Sequence, residues 1–265
     1  MAKKDSTKKT LLVALGICFV ASILVSTVAV TLKPIQDNNK KLDLLKNILS
    51  AGDLYEDGID ITQTFNDQIS AQIIDLETGE TVPENKFDDE LSIDKFSIDV
   101  LAASSKWGEV IPASDDKAGI KRKPKVMAIY TVMKDDVVDK YILPIYGKGL
   151  WSTLYGFVAL DKDLHTIKGF TFYQHGETPG LGGEIDNPNW KKQWIGKQAF
   201  DADGNLQIEV IKGIVDRNSD KINYQIDGLS GSTLTTRGVN NLVRFWLSEN
   251  GYGPFLNKLK GDNNG

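Results

Sequence analysis

Between Asp227 and Thr236 the chain reads Asp-Gly-Leu-Ser-Gly-Ser-Thr-Leu-Thr-Thr, and five hydroxyl side chains fall within seven positions: Ser230, Ser232, Thr233, Thr235 and Thr236. An apolar segment at helical spacing follows from Val239 to Leu247, so the local reading is strand, hydroxyl-rich turn, helix start. A hydroxyl at such a place has two uses. Ser232 or Thr233 can cap the helix by satisfying an orphan amide of the first turn, with Gly231 merely allowing a tight turn. Alternatively, amides and hydroxyls gather around an anion, as they do around phosphate at helix N-termini, and Arg237 adds a charge-assisted contact. One cap needs one hydroxyl and this run has five, but chemistry alone leaves both uses open.

Other reactive groups are scarce. A single cysteine, Cys18, excludes an internal disulfide framework and a multi-cysteine metal or iron–sulfur site built by this chain alone. Two histidines, His165 and His175, leave little room for histidine-based acid/base or metal chemistry, and no metal site is expected. A net charge of −5, with no basic stripe interleaved with aromatics, argues against a nucleic-acid partner. Such poverty suits an electron carrier, which needs a cofactor more than proton-transfer groups. Two glycine-rich loops, Gly147-Lys-Gly-Leu-Trp-Ser152 and His175-Gly-Glu-Thr-Pro-Gly-Leu-Gly-Gly183, are each sufficiently explained as turns, and neither fits the dinucleotide-binding fingerprint.

Taken together, these segments resemble a known family. The run Asp227 to Thr233, with Thr235 and Val239, is similar to the flavinylation motif of FMN-binding domains in two membrane complexes, the sodium-translocating NADH:quinone oxidoreductase and the Rnf electron-transport complex. The resemblance implies that Thr233 carries FMN through a phosphoester installed by a dedicated flavin transferase, with FAD as donor. Asp227, Ser230, Gly231, Ser232 and Arg237 would surround that attachment, Asp227 orienting or polarising it. Gly149, Leu150 and Trp151 of the first loop, and Glu177, Thr178, Pro179, Gly180, Leu181 and Gly182 of the second, would line the flavin ring, Glu177 having a structural reading as well. The family pattern has alanine where this chain has Ser232. Serine is small, so the case stands, at the cost of an opening for weaker or mis-sited modification; Ser232→Ala is expected to leave the label intact or improve it. The segment Gly251-Tyr-Gly-Pro-Phe255 draws the likeness toward the C subunit of the NADH:quinone complex over the Rnf G subunit.

The elements that must hold these residues begin with an anchor. Lysines 3, 4, 8 and 9 precede Leu11 to Leu32, a stretch without one charged side chain, and a helix of that length is roughly 33 Å long, enough to cross a bilayer core. A cleaved signal peptide would have a shorter apolar region. The short lysine tail places the N-terminus, residues 1–10, in the cytoplasm and the bulk of the chain outside, and the resemblance implies that the membrane is a bacterial cell inner membrane. Ala14, Cys18, Ser22 and Ser26 recur every four residues and offer a face of small side chains for packing on a partner subunit. No carboxylate lies in the span, so this helix provides no ion path by itself.

Residues 33–70 read as a connecting helix ending near Gly52, a polar linker and a second short helix. A domain over 71–260 follows: a strand at Ile73 to Leu76 with a hairpin turn at Glu77 to Glu80, then strands at Val126 to Val132, Tyr141 to Tyr146, Thr153 to Leu160 and Thr166 to Tyr173. Residues 83–122 show no pattern that assigns an element, and 261–265 read as a flexible tail. Short strands joined by tight turns predict an α+β fold, an antiparallel sheet carrying packed helices behind one transmembrane helix. The resemblance implies a membrane-anchored, covalently flavinylated electron-transfer subunit working with the other subunits of its complex. The Rnf complex is the nearest alternative, and a non-redox extracytoplasmic binding domain is the alternative of another class.

Overall fold

The computed structural model describes residues 6–135 and 137–263. The first half of the lysine tail, Asp136 of the expected β-turn and the last two residues of the expected tail lie outside the described residues. By compactness the chain divides into two units, one ending at Leu44 and one running from Leu45 onward.

Helix α1 spans Thr7–Ala51 without interruption, so the anchor and the connecting helix are one element, and Pro34 lies inside it. Its apolar stretch is long enough to cross a membrane. Inside that stretch Thr27 Oγ1 donates to the Ile23 carbonyl at 2.8 Å and Thr31 Oγ1 to the Thr27 carbonyl at 2.7 Å, which satisfies both hydroxyls without water.

The second unit is built on a sheet. Helix α2 (Ile61–Gln68), capped by the Asp60 carboxylate on the Gln63 amide, runs straight into β1 (Ile69–Asp75). A short α3 (Ile98–Ala103) and a small hairpin of β2 (Gly108–Val110) with β3 (Arg122–Pro124) precede four long strands, β4 (Val126–Lys134), β5 (Val137–Lys148), β6 (Thr153–Asp161) and β7 (Ile167–Gln174). Then come α4 (Pro188–Lys192), the parallel pair β8 (Glu209–Val210) and β9 (Gln225–Ile226), α5 (Thr233–Trp246) and α6 (Gly253–Asn263). Strands β1, β4, β5, β6 and β7 form one antiparallel sheet in the order β1-β4-β5-β6-β7. The fold is therefore the expected α+β type. α5 begins at Thr233, at the N-cap that the hydroxyl run offered and six residues before the apolar period starts, while one expectation shifts at its edge: α6 carries helix to Asn263, into the stretch read as tail.

Both faces of the sheet are covered, which is why Val126 to Val132 is buried throughout instead of alternating. One face meets the end of α1 and α2: Gly52 comes close to Ile142 and Val132, and Phe65 packs edge-on against Tyr130. The other meets α5, whose Val239, Leu242, Val243 and Trp246 recur at i, i+3, i+4 and i+7 and are all buried. Two hydrogen bonds fix that helix face and the turn beyond it to β5: Trp246 Nε1 donates to the Tyr146 carbonyl at 2.7 Å, and the Tyr252 hydroxyl to the Pro144 carbonyl at 2.6 Å. Trp246→Ala is expected to cost about 4 kcal/mol, the usual range for emptying a fully buried aromatic site. Denaturant unfolding of the detergent-solubilised full chain checks the value, and a loss under about 1 kcal/mol would contradict this packing.

Candidate functional site

Three loops meet at one end of the sheet. The first is the tip of the β5–β6 hairpin, closed by the Gly149 amide on the Ser152 carbonyl at 2.8 Å. The second follows β7, where the Leu181 and Gly183 amides both donate to the Thr178 carbonyl and a 3₁₀ turn begins at Gly182. The third joins β9 to α5 and turns at Gly231, whose φ of +73° suits glycine and few other residues. Between them lies a cavity of about 340 Å³ lined by Leu150, Trp151, Glu177, Thr178, Leu181, Gly182, Gly231, Ser232, Thr233 and Leu234. That volume lies in the range of ordinary small-molecule sites.

Nine of the residues singled out in the sequence thus come together in one cleft. Six do not line it. Gly149, Pro179 and Gly180 belong to the same loops, and Ser230 and Arg237 are exposed on either side of the lining segment. Asp227 is engaged with the protein: its Oδ1 accepts the Val215 amide at 2.7 Å, its amide donates to Gln193 Oε1 at 3.1 Å, and its carbonyl accepts Trp190 Nε1 at 2.8 Å. In this geometry it braces the start of the third loop. Leu234 and the partners of Glu177 escaped the sequence reading. Leu234 precedes the apolar period, and only the earlier start of α5 brings it to the cleft.

Glu177 is the tie among the loops. It is 5% exposed, and its Oε1 accepts the Trp151 amide at 2.9 Å and the Ser152 amide at 3.4 Å, while its Oε2 accepts the Thr235 hydroxyl at 2.6 Å. Burial pushes its carboxyl up, but the Thr235 hydroxyl and the amides of residues 150–152 outweigh that and hold it below the usual carboxylate value. Ser152 Oγ reinforces the tie by accepting the Gly176 amide at 2.6 Å. His175 Nδ1 accepts the Glu177 amide at 3.2 Å, so its Nε2 carries the hydrogen donated to Asp186 at 2.7 Å. Gly149 and Gly182 flank the carboxylate closely: a Cβ on Gly182 would lie 2.6 Å from Thr235 Oγ1 and 2.7 Å from Glu177 Oε2. Gly182→Ala should therefore displace the Thr235–Glu177 contact and cost about 1–3 kcal/mol, visible as a lowered thermal midpoint.

The five hydroxyls of the third loop divide sharply by environment. Thr235 is spent on Glu177, and Thr236 Oγ1 accepts the Leu229 amide at 3.0 Å. Ser232 occupies the N-cap of α5 yet makes no side-chain cap bond, so the capping role expected of it is not filled. A cap needs the hydroxyl turned toward the first-turn amides, and here it is buried without a partner among the described residues, at a cost of about 1–3 kcal/mol while it stays so. Ser230 is exposed but outside the lining. Thr233 alone among the five is both exposed and on the cleft.

The cleft suits FMN. Leu150, Trp151, Leu181 and Leu234 are large apolar side chains left exposed around it, Trp151 by 67%, and give a flat ring an apolar wall. The N-terminus of α5 also borders it, with a positive dipole and no side-chain cap on its first amides, which suits a phosphate. Fold and cleft together define a flavin-binding domain set behind a single long apolar helix. The family model described as FMN-binding domain matches residues 149–248. The chain is 46% identical to the C subunit of the Na(+)-translocating NADH-quinone reductase of Pseudomonas aeruginosa, over 98% of each chain, and 42% identical to that of Yersinia pestis, over 97% and 94%. The crystal structure of Shewanella oneidensis NqrC superposes with a TM-score of 0.75 at 33% identity, covering 84% of this chain and 99% of that one. This chain belongs to the family of C subunits of the Na(+)-translocating NADH-quinone reductases. Of the readings the sequence left open, the comparisons bear out the NADH:quinone one over the Rnf and non-redox alternatives.

Proposed function

We propose that this chain is the membrane-anchored FMN carrier of a sodium-pumping NADH:quinone oxidoreductase, with the flavin held covalently at Thr233. The observation that carries the reading is the division of the hydroxyls: Thr233 is the exposed, cleft-lining one in a run whose others are spent, buried or outside. FMN, when bound, supplies one- and two-electron redox chemistry that none of this chain's side chains offers. Thr233 contributes the oxygen of a new O–P bond while the pyrophosphate bond of FAD breaks; AMP leaves, and the threonine proton is passed to solvent or to a base of the flavin transferase. Leu150, Trp151, Leu181 and Leu234 then bound the ring and limit water, and Glu177 keeps the two glycine-rich loops at a fixed spacing. A tether replaces binding affinity with a high effective concentration, so the carrier keeps its flavin through repeated turnover.

In this reading residues 11–32 of α1 anchor the chain once in the inner membrane, with the N-terminus cytoplasmic and the FMN-binding domain, 71–260, outside. Electrons on their way from NADH to quinone pass through this flavin, received from an upstream redox centre and handed onward, while other subunits bind NADH and quinone and move sodium. Intact-mass measurement of the full chain, co-expressed with a flavin transferase, tests the proposal. One FMN less a water is expected on the polypeptide; a bare mass, with a dark band on a denaturing gel, sinks it.

A further inference from the structure

Ser232 is 6% exposed, and its Oγ is buried with no hydrogen-bond partner among the described residues. The side chain nevertheless lines the cleft, next to Thr233 and at the N-terminus of α5. The other hydroxyls that reach the interior of the loop are engaged, Thr235 with Glu177 and Thr236 with the Leu229 amide, so neither serves as its partner. Buried polar groups in folded proteins nearly always have a partner, and a ligand in the cleft that Ser232 lines can supply the one missing here.

We propose that Ser232 Oγ–H donates a hydrogen bond to a non-bridging oxygen of the phosphoryl group carried by Thr233, an inference that rests on Thr233 being the acceptor. Adjacency in sequence and position on the helix dipole favour the phosphate over the flavin ring. Ser232 is then a positioning residue. Its hydroxyl weakens the bare protein and strengthens the loaded one, because desolvation is uncompensated in the first and met by a charged acceptor in the second. A charge-assisted contact of this kind also fixes the phosphodiester torsions, and with them where the ring stands in the cleft.

The test compares full-length wild type and Ser232→Ala, each prepared with and without flavin transferase. The alanine variant still takes its adduct at Thr233. Its thermal midpoint without flavin should rise by about 2–4 °C over wild type, whereas with flavin it should fall below wild type by a similar amount. The phosphorus NMR resonance of the adduct should move as well. Ser232→Cys, similar in size but a weak donor, should shift the loaded midpoint in the same direction and guards against a packing fault in the alanine variant. Equal midpoint shifts in both states, or an unmoved phosphorus resonance, overturn the inference while leaving Thr233 as acceptor. An adduct on Ser232 itself also overturns it, and a bare wild-type mass overturns both.

Discussion

Thr233→Ala should carry no covalent flavin at all. The variant chain, matured beside a flavin transferase, is expected to run as a dark band where wild type fluoresces and to show the mass of the bare polypeptide. The loss is complete because no other hydroxyl of the run can stand in: Ser232 Oγ is buried, Thr235 and Thr236 are hydrogen-bonded inside the protein, and Ser230 lies off the cleft, while Thr178, also exposed on the cleft, belongs to the second loop and not to the N-terminus of α5. Stability should change little, by less than about 0.5 kcal/mol, since Thr233 is exposed at the surface of the cleft. A residual adduct on another residue would show that the acceptor is chosen by the transferase and not by burial.

Glu177→Ala should cost the most of any change in the site. It leaves the Thr235 hydroxyl and the amides of Trp151 and Ser152 without their acceptor and opens a space between two loops, for a total of about 3 kcal/mol. Glu177→Gln keeps one acceptor oxygen and should lose roughly half as much. The same group gives the domain an acid sensitivity. Its folded carboxyl titrates below the ordinary value of 4.5, so its contribution is fully present above that pH and disappears as the pH falls through the lowered folded value. Unfolding midpoints of wild type and Glu177→Gln should therefore converge as the pH drops below 4.5. Parallel curves would mean that Glu177 does not hold the loops through its charge.

Much of this architecture is legible in the chain itself. Strands β4 to β7 declare themselves by aromatic and aliphatic runs between polar turns, and the anchor by a stretch of apolar residues longer than any strand or ordinary core helix needs. The two glycine loops and the hydroxyl run could be assigned to one cleft only by family likeness, because the contacts that join them span 24 residues or more of sequence and leave no local trace, as with Glu177 and Thr235. Residues 83–122 stayed opaque for another reason. They are held by side chains on backbone more than by periodic packing: Arg122 Nε and Nη2 donate to the Ala102 and Ser104 carbonyls, and Asp88 pairs with Lys106 while accepting Trp107 Nε1. The hydrogen bond from Lys106 leads the causes that hold the Asp88 carboxyl down to about 2. The start of α5 was legible only through its cap candidates, Ser232 and Thr233, because Thr233 to Gly238 has no apolar stripe; its buried Thr235 and Thr236 supply the inward face that leucine or valine would normally announce.

The cleft draws on positions 150–151, 177–182 and 231–234, three stretches brought within reach of one another only once β5, β6 and β7 have paired and α5 has docked on them. A nascent or threading polypeptide has the hydroxyl but not its setting. With the attachment at Thr233 that we propose, the prosthetic group is added late, as a checkpoint that a misassembled copy fails, and the yellow colour of a preparation would report correctly folded molecules and not merely synthesised ones.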